Sequence, residues 1–313
     1  MNYSASSPGG LQAKRRRLPK KNKVITWAYG YAMVAPTIIG LIILNIVPIF
    51  QTIYMSFFKS GAFGKGNIFI GFSNYATLFA DKQVWQAALN TLKYALLVVP
   101  VGIILSLLLA TALNKKIAGR GLYRLIYFMP MIAVPAAVTM VWRWLYNYYY
   151  GLFNHLLTGI GLDAVKWIEE PNLALFSIAL IGIWSSVGYN MVLILSGLQE
   201  IPKDFYEASE LDGASPFRQL VSITIPLVSP TLFFVSITSV ISAMQVFDVI
   251  YMLIDVANPA YKKTVSLVYL FYNNSFKYSN KGYASCIVLV LLVIILILTL
   301  IQNKLQKKWV HYM

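Results

Sequence analysis

The chain has 313 residues, of which 58% are hydrophobic and only 12% are charged, and its formal net charge is +15 at pH 7. An ordinary soluble domain carries about 25% charged residues, so the composition excludes that class and indicates that a lipid bilayer is the solvent. The single cysteine excludes an intrachain disulfide. The sequence also lacks a metal-ligand motif, a Ser-His-Asp pattern and a glycine-rich phosphate loop, so we expect a chain that is not an enzyme and binds no cofactor itself.

The chain begins with a basic segment in which seven cations lie between Lys14 and Lys23. We predict a cytosolic arm over residues 1–25 that favours anionic lipid headgroups. The basic residues of the whole chain lie near the ends of apolar stretches and not along a groove with stacking aromatics. We therefore expect the lipid bilayer, and no nucleic acid, as the partner of this charge.

Six stretches free of Asp, Glu, Lys and Arg follow the arm, and each has room for the roughly 20 apolar residues that span a bilayer. The sequence therefore predicts an all-α polytopic membrane protein with six transmembrane helices in a transmembrane domain of residues 26–303. Prolines inside these stretches predict kinked helices. The stretches cover residues 24–58, 94–114, 125–142, 171–199, 219–247 and 282–303.

Lys and Arg set the predicted orientation. Most Lys and Arg residues outside the six stretches lie in the N-terminal arm, in the connections after the second and fourth stretches, and in the tail of residues 304–313. The positive-inside rule then places both termini in the cytosol. We expect a multi-pass protein of the cell membrane.

The connection between the fourth and fifth stretches is the most informative polar segment, because five of the chain's eleven acidic residues lie within 200–226. Pro202 suits the start of a helix over 203–211, and Asp212-Gly213 predicts its end. Ser215-Pro216 then predicts the cap and first turn of a second helix. We predict a cytosolic helix-turn-helix across the membrane face.

Two uses of this loop are open from the residues alone. Ala208 and Ser209 are small enough to let a partner protein approach closely, and Glu207 offers a charge to a basic group. An amphipathic loop that lies on the headgroups is the other interpretation.

The spacing of this loop adds a resemblance. Glu207-Ala208-Ser209, Asp212-Gly213-Ala214, Ile223 and Pro226 resemble the EAA loop of binding-protein-dependent ABC importers, Glu-Ala-Ala, three residues, Gly, nine residues, Ile-x-Leu-Pro. Ser replaces the second Ala, and Ile225 replaces Leu. The resemblance implies that these eight residues form the site that couples the permease to its ATPase.

The resemblance covers nearly the whole chain and narrows to carbohydrate-uptake permeases of the maltose-transporter type. One departure lies at 255–259, where the family usually shows a Thr-x-Gly-Gly-Pro turn. The strings that carry the resemblance are Val47-Pro48-Ile49, Gly71-Phe72-Ser73-Asn74-Tyr75, Asn90-Thr91, Gly151-Leu152-Phe153-Asn154, Gly197-Leu198-Gln199-Glu200-Ile201-Pro202 and Phe247-Asp248-Val249-Ile250-Tyr251.

The family implies a set of partners. These are a second homologous permease in a heterodimer, two cytosolic ABC ATPase subunits that use ATP and Mg, an extracytoplasmic solute-binding protein, and a sugar, with an oligosaccharide expected. Alternatives are an ABC permease for another solute, such as an amino acid or a metal, and a secondary transporter. The last would want several intramembrane acids, whereas Asp248 is the one clearly at membrane depth.

Polar residues within the fourth and fifth stretches predict the substrate pathway. Intramembrane polar side chains normally face the protein interior or a water-filled cavity. The resemblance adds that maltose-type permeases hold sugar with these two spans. Association with the second permease is the other use of such residues. The predicted pathway residues are Trp184, Ser185, Tyr189 and Asn190 in the fourth stretch and Ser239, Ser242, Gln245 and Asp248, at three-residue steps, in the fifth.

Overall fold

The computed structural model describes residues 20–60, 67–115 and 117–310. Most of the predicted basic arm lies outside the described residues. The chain divides into two units, residues 1–52 and 53–313. In the first, helix α1 (Lys20–Leu41) continues through a π-helical turn (Ile42–Ile46) into α2 (Val47–Ser56), whose last turn belongs to the second unit. The π turn directly precedes Pro48, whose ring disturbs the regular helical ladder.

The second unit is almost entirely helical, as predicted, with one small addition. The strands β1 (Phe58–Ser60) and β2 (Asn67–Phe69) pair antiparallel with Phe58 opposite Phe69. The helices are α3 (Ser73–Ala80), α4 (Lys82–Asn114), α5 (Arg120–Ile132), α6 (Pro135–Leu145), α7 (Leu152–Gly159), α8 (Ala174–Glu200), α9 (Asp204–Leu211), α10 (Pro216–Gln219), α11 (Ile225–Met244), α12 (Asp248–Leu253), α13 (Tyr261–Thr264), α14 (Leu267–Tyr272) and α15 (Lys281–Trp309). Two further π turns, Leu220–Thr224 and Asn273–Lys277, follow α10 and α14.

Five helical segments of the described chain are long and apolar enough to cross a membrane, and a bent pair makes up to six. The bent pair is α5 and α6, which meet at 98°. The sequence predicts one kinked span over 125–142, and the structure shows the kink as a sharp bend between two helices. Ala133 and Val134 are extended. Pro135 disfavours a helical conformation in Val134, the residue before it.

Small residues set the packing of the central helices. At Gly188 of α8, an added Cβ would overlap the backbone carbonyl of Tyr127 in α5, and at Gly182 it would overlap the Tyr94 hydroxyl of α4. Backbones and rings can approach α8 this closely only where no side chain stands between them. The helix α8 is therefore the central element against which α4 and α5 pack.

Buried polar side chains fasten the short helices α13 and α14 to the beginning of α4. The Asn90 amide donates to the carbonyls of Lys262 (3.0 Å) and Val265 (3.1 Å), and the Thr91 hydroxyl accepts from the amide of Leu267 (3.1 Å). Both side chains are almost completely buried. The Asn90-Thr91 pair is thus an anchor for the connection that precedes α15.

The turn at 255–259, which departs from the family pattern, is built from side-chain caps. The Asp255 carboxylate accepts from the amides of Ala257 (2.7 Å) and Asn258 (3.1 Å), and the Asn258 side chain accepts from the Ala260 amide (2.8 Å). Asp and Asn favour turns because their side chains accept such local bonds. This turn therefore forms without the usual glycines.

Candidate transport pathway and coupling loop

A cavity of about 520 Å³ lies in the second unit, where α4, α8 and α11 meet the two helix breaks that precede α6 and α12. Its volume falls within the roughly 300–1,000 Å³ typical of small-molecule sites. The walls combine hydroxyl and amide groups with aromatic rings and small apolar residues. The polar and aromatic residues of the lining are Tyr94, Ser185, Ser186, Tyr189, Asn190, Thr238, Ser239, Ser242, Gln245, Phe247 and Asp248.

Seven of the eight residues predicted for the pathway line this cavity, and Trp184 does not. Ser185 and Tyr189 are four residues apart and therefore share one face of α8. Trp184 lies about 100° around the helix from Ser185, and its ring packs edge-on against Trp142 at 5.7 Å. The structure brings the other seven together, while their role in binding a substrate stays a prediction.

The four polar residues of the fifth stretch reach the cavity by a different geometry from the one expected. Three-residue steps advance about 300° each, so in a continuous helix Ser239 and Asp248 would lie on opposite faces. Instead α11 ends at Met244, Gln245 has φ −98° and ψ 14°, and α12 begins at Asp248. The break re-aims the last members of the series toward the same cavity. The three-residue spacing by itself predicts a polar stripe that drifts around one continuous helix, and the break between α11 and α12 replaces that helix.

Two helices are joined directly at the cavity wall. The Asn190 amide of α8 donates to the Ser239 hydroxyl of α11 at 3.2 Å. Ser242, Gln245 and Asp248 are exposed by comparison, so their polar atoms are free to meet a solute or water. The cavity wall thus contains one pair of polar side chains that bond to each other and three exposed polar side chains that can contact a solute.

Sequence reasoning missed several lining residues. Tyr94 lies at the edge of a predicted span, and only the absence of a side chain at Gly182 lets its ring reach the cavity. Thr238 and Ser186 also line the cavity. Each is next to a predicted residue in the sequence, but neither belongs to the three-residue or four-residue spacing of the predicted set. The sequence around Tyr94 does not indicate this position, because the space for its ring depends on Gly182, which lies 88 positions away in the chain.

The loop over 200–226 folds as two short helices around a tight turn. The first is α9 (Asp204–Leu211), one residue shorter than predicted. Gly213 has φ +74°, a conformation that favours glycine. The Ser215 hydroxyl accepts from the Arg218 amide at 3.4 Å, and Pro216 occupies the first turn of α10. The local pattern therefore dictates this geometry, while its coupling role stays a prediction.

The candidate coupling residues divide into an outward and an inward set. Glu207, Ala208, Asp212 and Gly213 are exposed, whereas Ala214, Ile223 and Pro226 are half-buried. Ser209 is buried, and its hydroxyl donates to the Tyr206 carbonyl (2.8 Å) and accepts from Gln219 (3.0 Å). Ser209 therefore braces α9 against α10 and does not face outward, contrary to the expectation that it lets a partner approach.

Two large apolar side chains on this loop were missed. Leu211 is 91% exposed and Phe217 is 74% exposed, one on each side of the Gly213 turn. The loop therefore carries two exposed apolar side chains, one before and one after the Gly213 turn. Sequence spacing does not separate such residues from buried ones in a helix of only eight residues.

These features define a class: a polytopic α-helical membrane protein with a cavity of mixed polar and apolar lining beside two helix breaks, and a helical loop that links two of its spans. Comparison with known proteins identifies it more closely. The family described as "Binding-protein-dependent transport system inner membrane component" matches residues 102–311. The chain belongs to this family, and it is a permease subunit of a binding-protein-dependent ABC importer.

Curated relatives match over most of the chain. The trehalose/maltose transport system permease protein MalF of Thermococcus litoralis is 34% identical over 88% of this chain and 92% of its own. The sn-glycerol-3-phosphate transport system permease protein UgpA of Agrobacterium fabrum is 32% identical over 90% of this chain and 96% of its own.

Solved structures agree on the fold. A chain of a bacterial alginate ABC transporter, in complex with an alginate pentasaccharide-bound periplasmic protein, superposes with a TM-score of 0.80 at 23% identity. The match covers 92% of this chain and 96% of that chain. Family membership removes the secondary transporter from the alternatives.

Proposed function

We propose that this chain and a second homologous permease form the membrane pathway through which an ATP-driven importer moves a sugar into the cell. The observation that carries the proposal is the convergence of seven residues, chosen from the sequence, on one cavity. Sugar-transporting relatives such as the trehalose/maltose permease support the substrate class.

The chemistry of the cavity suits an uncharged polyhydroxylated solute. Sugar hydroxyls need hydrogen-bond partners when they leave water, and Ser239, Ser242 and Gln245 supply them. The apolar C–H faces of a sugar ring pack on aromatic rings, of which Tyr189 and Phe247 are available in the lining. The mixture of both surfaces in one cavity supports a carbohydrate rather than an amino acid or a metal ion.

A phosphorylated polyol is the second candidate, since several relatives are sn-glycerol-3-phosphate permeases. Within the described part of the chain, the cavity lining includes the carboxylate of Asp248 and no Lys or Arg. A phosphate group in this half of the pathway would therefore meet repulsion without a compensating cation. This balance of charge favours a neutral sugar.

The energy for transport comes, in this proposal, from two cytosolic ATPase subunits that bind ATP and Mg and contact the 200–226 loop. Glu207, Ala208, Leu211 and Phe217 are exposed on the two sides of the Gly213 turn, where such a subunit would contact them. Both termini are then cytosolic. An extracytoplasmic binding protein delivers the sugar on the opposite side of the membrane.

Uptake by cavity variants tests the proposal. Tyr189→Ala and Gln245→Ala, in the complex with its partners, should impair uptake of labelled sugar while subunit assembly and basal ATP hydrolysis remain. Ser196→Ala is the matched control, because Ser196 is an exposed residue of α8 whose hydroxyl donates to its own helix and does not line the cavity. Dissociation of the two permeases, with normal transport by the remaining complex, would make these residues an assembly seam and overturn the proposal.

A further inference from the structure

A row of aromatic rings leads from the proposed sugar cavity into residues 254–280, the connection between the last two spans. Phe247 lines the cavity, and its ring centre lies 5.1 Å from that of Tyr251 and 5.0 Å from that of Tyr272. The Tyr272 ring centre lies 5.2 Å from that of Phe276, which is 66% exposed. The rings thus form one continuous series that starts at the cavity wall and ends at the protein surface.

The ring series stands on a buried base. Tyr269 is 1% exposed and packs edge-on against Phe247 (6.1 Å) and Tyr251 (5.3 Å). At the start of α14, the Ser266 hydroxyl donates to the Val246 carbonyl at 2.8 Å, and this bond ties α14 to the helix break beside the cavity. The outer rings therefore keep a fixed position relative to the cavity wall.

The outer part of the series offers both kinds of contact that a sugar needs. Tyr251 and Tyr272 are half-buried, and each phenol adds a hydroxyl that can donate and accept. The Lys277 ammonium, with three donors, lies 5.2 Å from the Tyr251 ring centre. Aromatic faces suit the C–H faces of a sugar, and these polar groups suit hydroxyls that leave water. The cavity wall combines the same two chemistries.

An interfacial belt that anchors the chain at the lipid headgroups is the other interpretation of exposed aromatics. A belt needs no contact between one ring and the next, whereas these rings touch in series from the cavity outward. The backbone here is also irregular, with a π turn over Asn273–Lys277 and a left-handed φ of +54° at Ser279. Such features are frequent at functional sites. The geometry therefore favours a binding surface over a lipid anchor.

The spacing of the rings fits a sugar chain. The steps of 5.0 Å from Phe247 to Tyr272 and 5.2 Å from Tyr272 to Phe276 are comparable to the length of one pyranose unit. We propose that Tyr251, Tyr272 and Phe276 form an outer subsite for the rings of an oligosaccharide that extend beyond the cavity, with Lys277 as a donor to their hydroxyls. This inference rests on the proposed sugar transport and adds that the substrate is a chain of at least two rings.

The outer subsite gives the pathway an order of occupation. Residues 254–280 and the 200–226 loop lie at opposite ends of the same span. On the orientation proposed above, the subsite therefore faces the binding protein and receives a sugar before the cavity does. Only this step depends on the orientation of the chain in the membrane.

The dependence of uptake on sugar length tests the subsite. Proteoliposomes with the full complex receive labelled mono-, di- and pentasaccharides built from glucose, galactose, mannose, arabinose or xylose. Tyr272→Leu removes the ring, and Tyr272→Phe keeps it. For sugars of two or more rings, uptake by the Leu variant should be about threefold to tenfold below that of the Phe variant, the effect of losing one aromatic contact. Monosaccharide uptake should not differ between the two.

Two further variants extend the measurement. Phe276→Leu should lower uptake of the pentasaccharide by the same factor, because a longer chain reaches the end of the series. Tyr278→Leu is the matched control, since Tyr278 is 64% exposed in the same connection and belongs to none of the ring contacts above. Uptake by this variant should equal that of wild type.

Tyr189→Ala, in the cavity, separates this inference from the proposed function. If it impairs uptake while Tyr272→Leu and Tyr272→Phe transport longer sugars equally, the outer subsite alone is overturned and the rings are a lipid anchor. Wild-type uptake confined to monosaccharides also overturns the subsite alone. Normal uptake by Tyr189→Ala, or no wild-type uptake of any of these sugars, contradicts the proposed function and the subsite together.

Discussion

The Asn190 amide of α8 donates a 3.2 Å hydrogen bond to the Ser239 hydroxyl of α11. Asn190 is buried, and both residues line the cavity. This bond fixes the relative positions of the two helices that carry the proposed sugar-binding groups. The cavity wall therefore contains a direct contact between two helices as well as the groups that we propose to bind sugar.

Loss of this bond should loosen the wall without dissolving the fold. Asn190→Leu keeps the size of the side chain and removes its amide, so we expect the free energy of unfolding to fall by about 0.6–1.7 kcal/mol, the range of interhelical hydrogen bonds in membranes. Uptake should fall as well. Thermal unfolding in detergent measures the first effect. Unfolding and uptake identical to wild type would show that the bond holds nothing in place.

The contact between α5 and α8 depends on Gly188. Gly188→Ala would bring a Cβ into the Tyr127 carbonyl, so we expect α5 to shift and the free energy of unfolding to fall by about 1–3 kcal/mol. Gly121→Ala in α5 is the control, because nothing lies within 4 Å of its added Cβ and alanine favours a helix by about 1 kcal/mol. Equal thermal stability of the two variants would contradict the close approach.

A substitution at Gly213 can distinguish an effect of backbone strain from the loss of a contact with a partner. In Gly213→Asp the new Cβ meets no atom within 4 Å, and the left-handed backbone costs roughly 1–2 kcal/mol, less for Asp than for most residues. The chain should therefore fold, while its exposed turn no longer fits the ATPase. We expect uptake to be abolished at normal membrane levels.

Gly161→Asp is the matched control for this experiment. Gly161 also has a positive φ (+83°) and open space around its Cβ, but it lies in a loop predicted on the opposite side of the membrane. Normal uptake by Gly213→Asp would refute the coupling proposal. Loss of uptake in both variants would assign the effect to backbone strain.

The sequence predicts the fold class well because long apolar stretches admit few alternatives in a bilayer. The loop geometry was also predictable, since Pro216, Gly213 and Ser215 each favour one local conformation. The sharp break at Ala133–Val134 is not predictable in the same way, although prolines within this stretch predict a kink. A proline predicts disturbance, while the 98° bend also depends on the neighbours that the two halves contact.

The cavity was partly predictable for a similar reason. Seven lining residues could be predicted as intramembrane polar residues, because polar side chains are costly to expose to lipid and therefore face the protein interior or a cavity. Trp184 does not line this cavity, since its ring packs against Trp142, and its part in the pathway stays a prediction. Tyr94 was missed, since its position depends on a glycine in another helix. Such contacts between distant residues leave no local pattern.

Protection of a cysteine in the cavity tests the central claim most directly. Ser242→Cys should react with a thiol reagent in the reconstituted complex, while the native Cys286 is buried and Ser196→Cys reports labelling outside the cavity. With the loaded binding protein and a non-hydrolysed nucleotide that holds sugar in the permeases, labelling at 242 should slow markedly and labelling at 196 should not. Equal rates at 242 with and without sugar would contradict the account, because a filled pathway must shield its own wall.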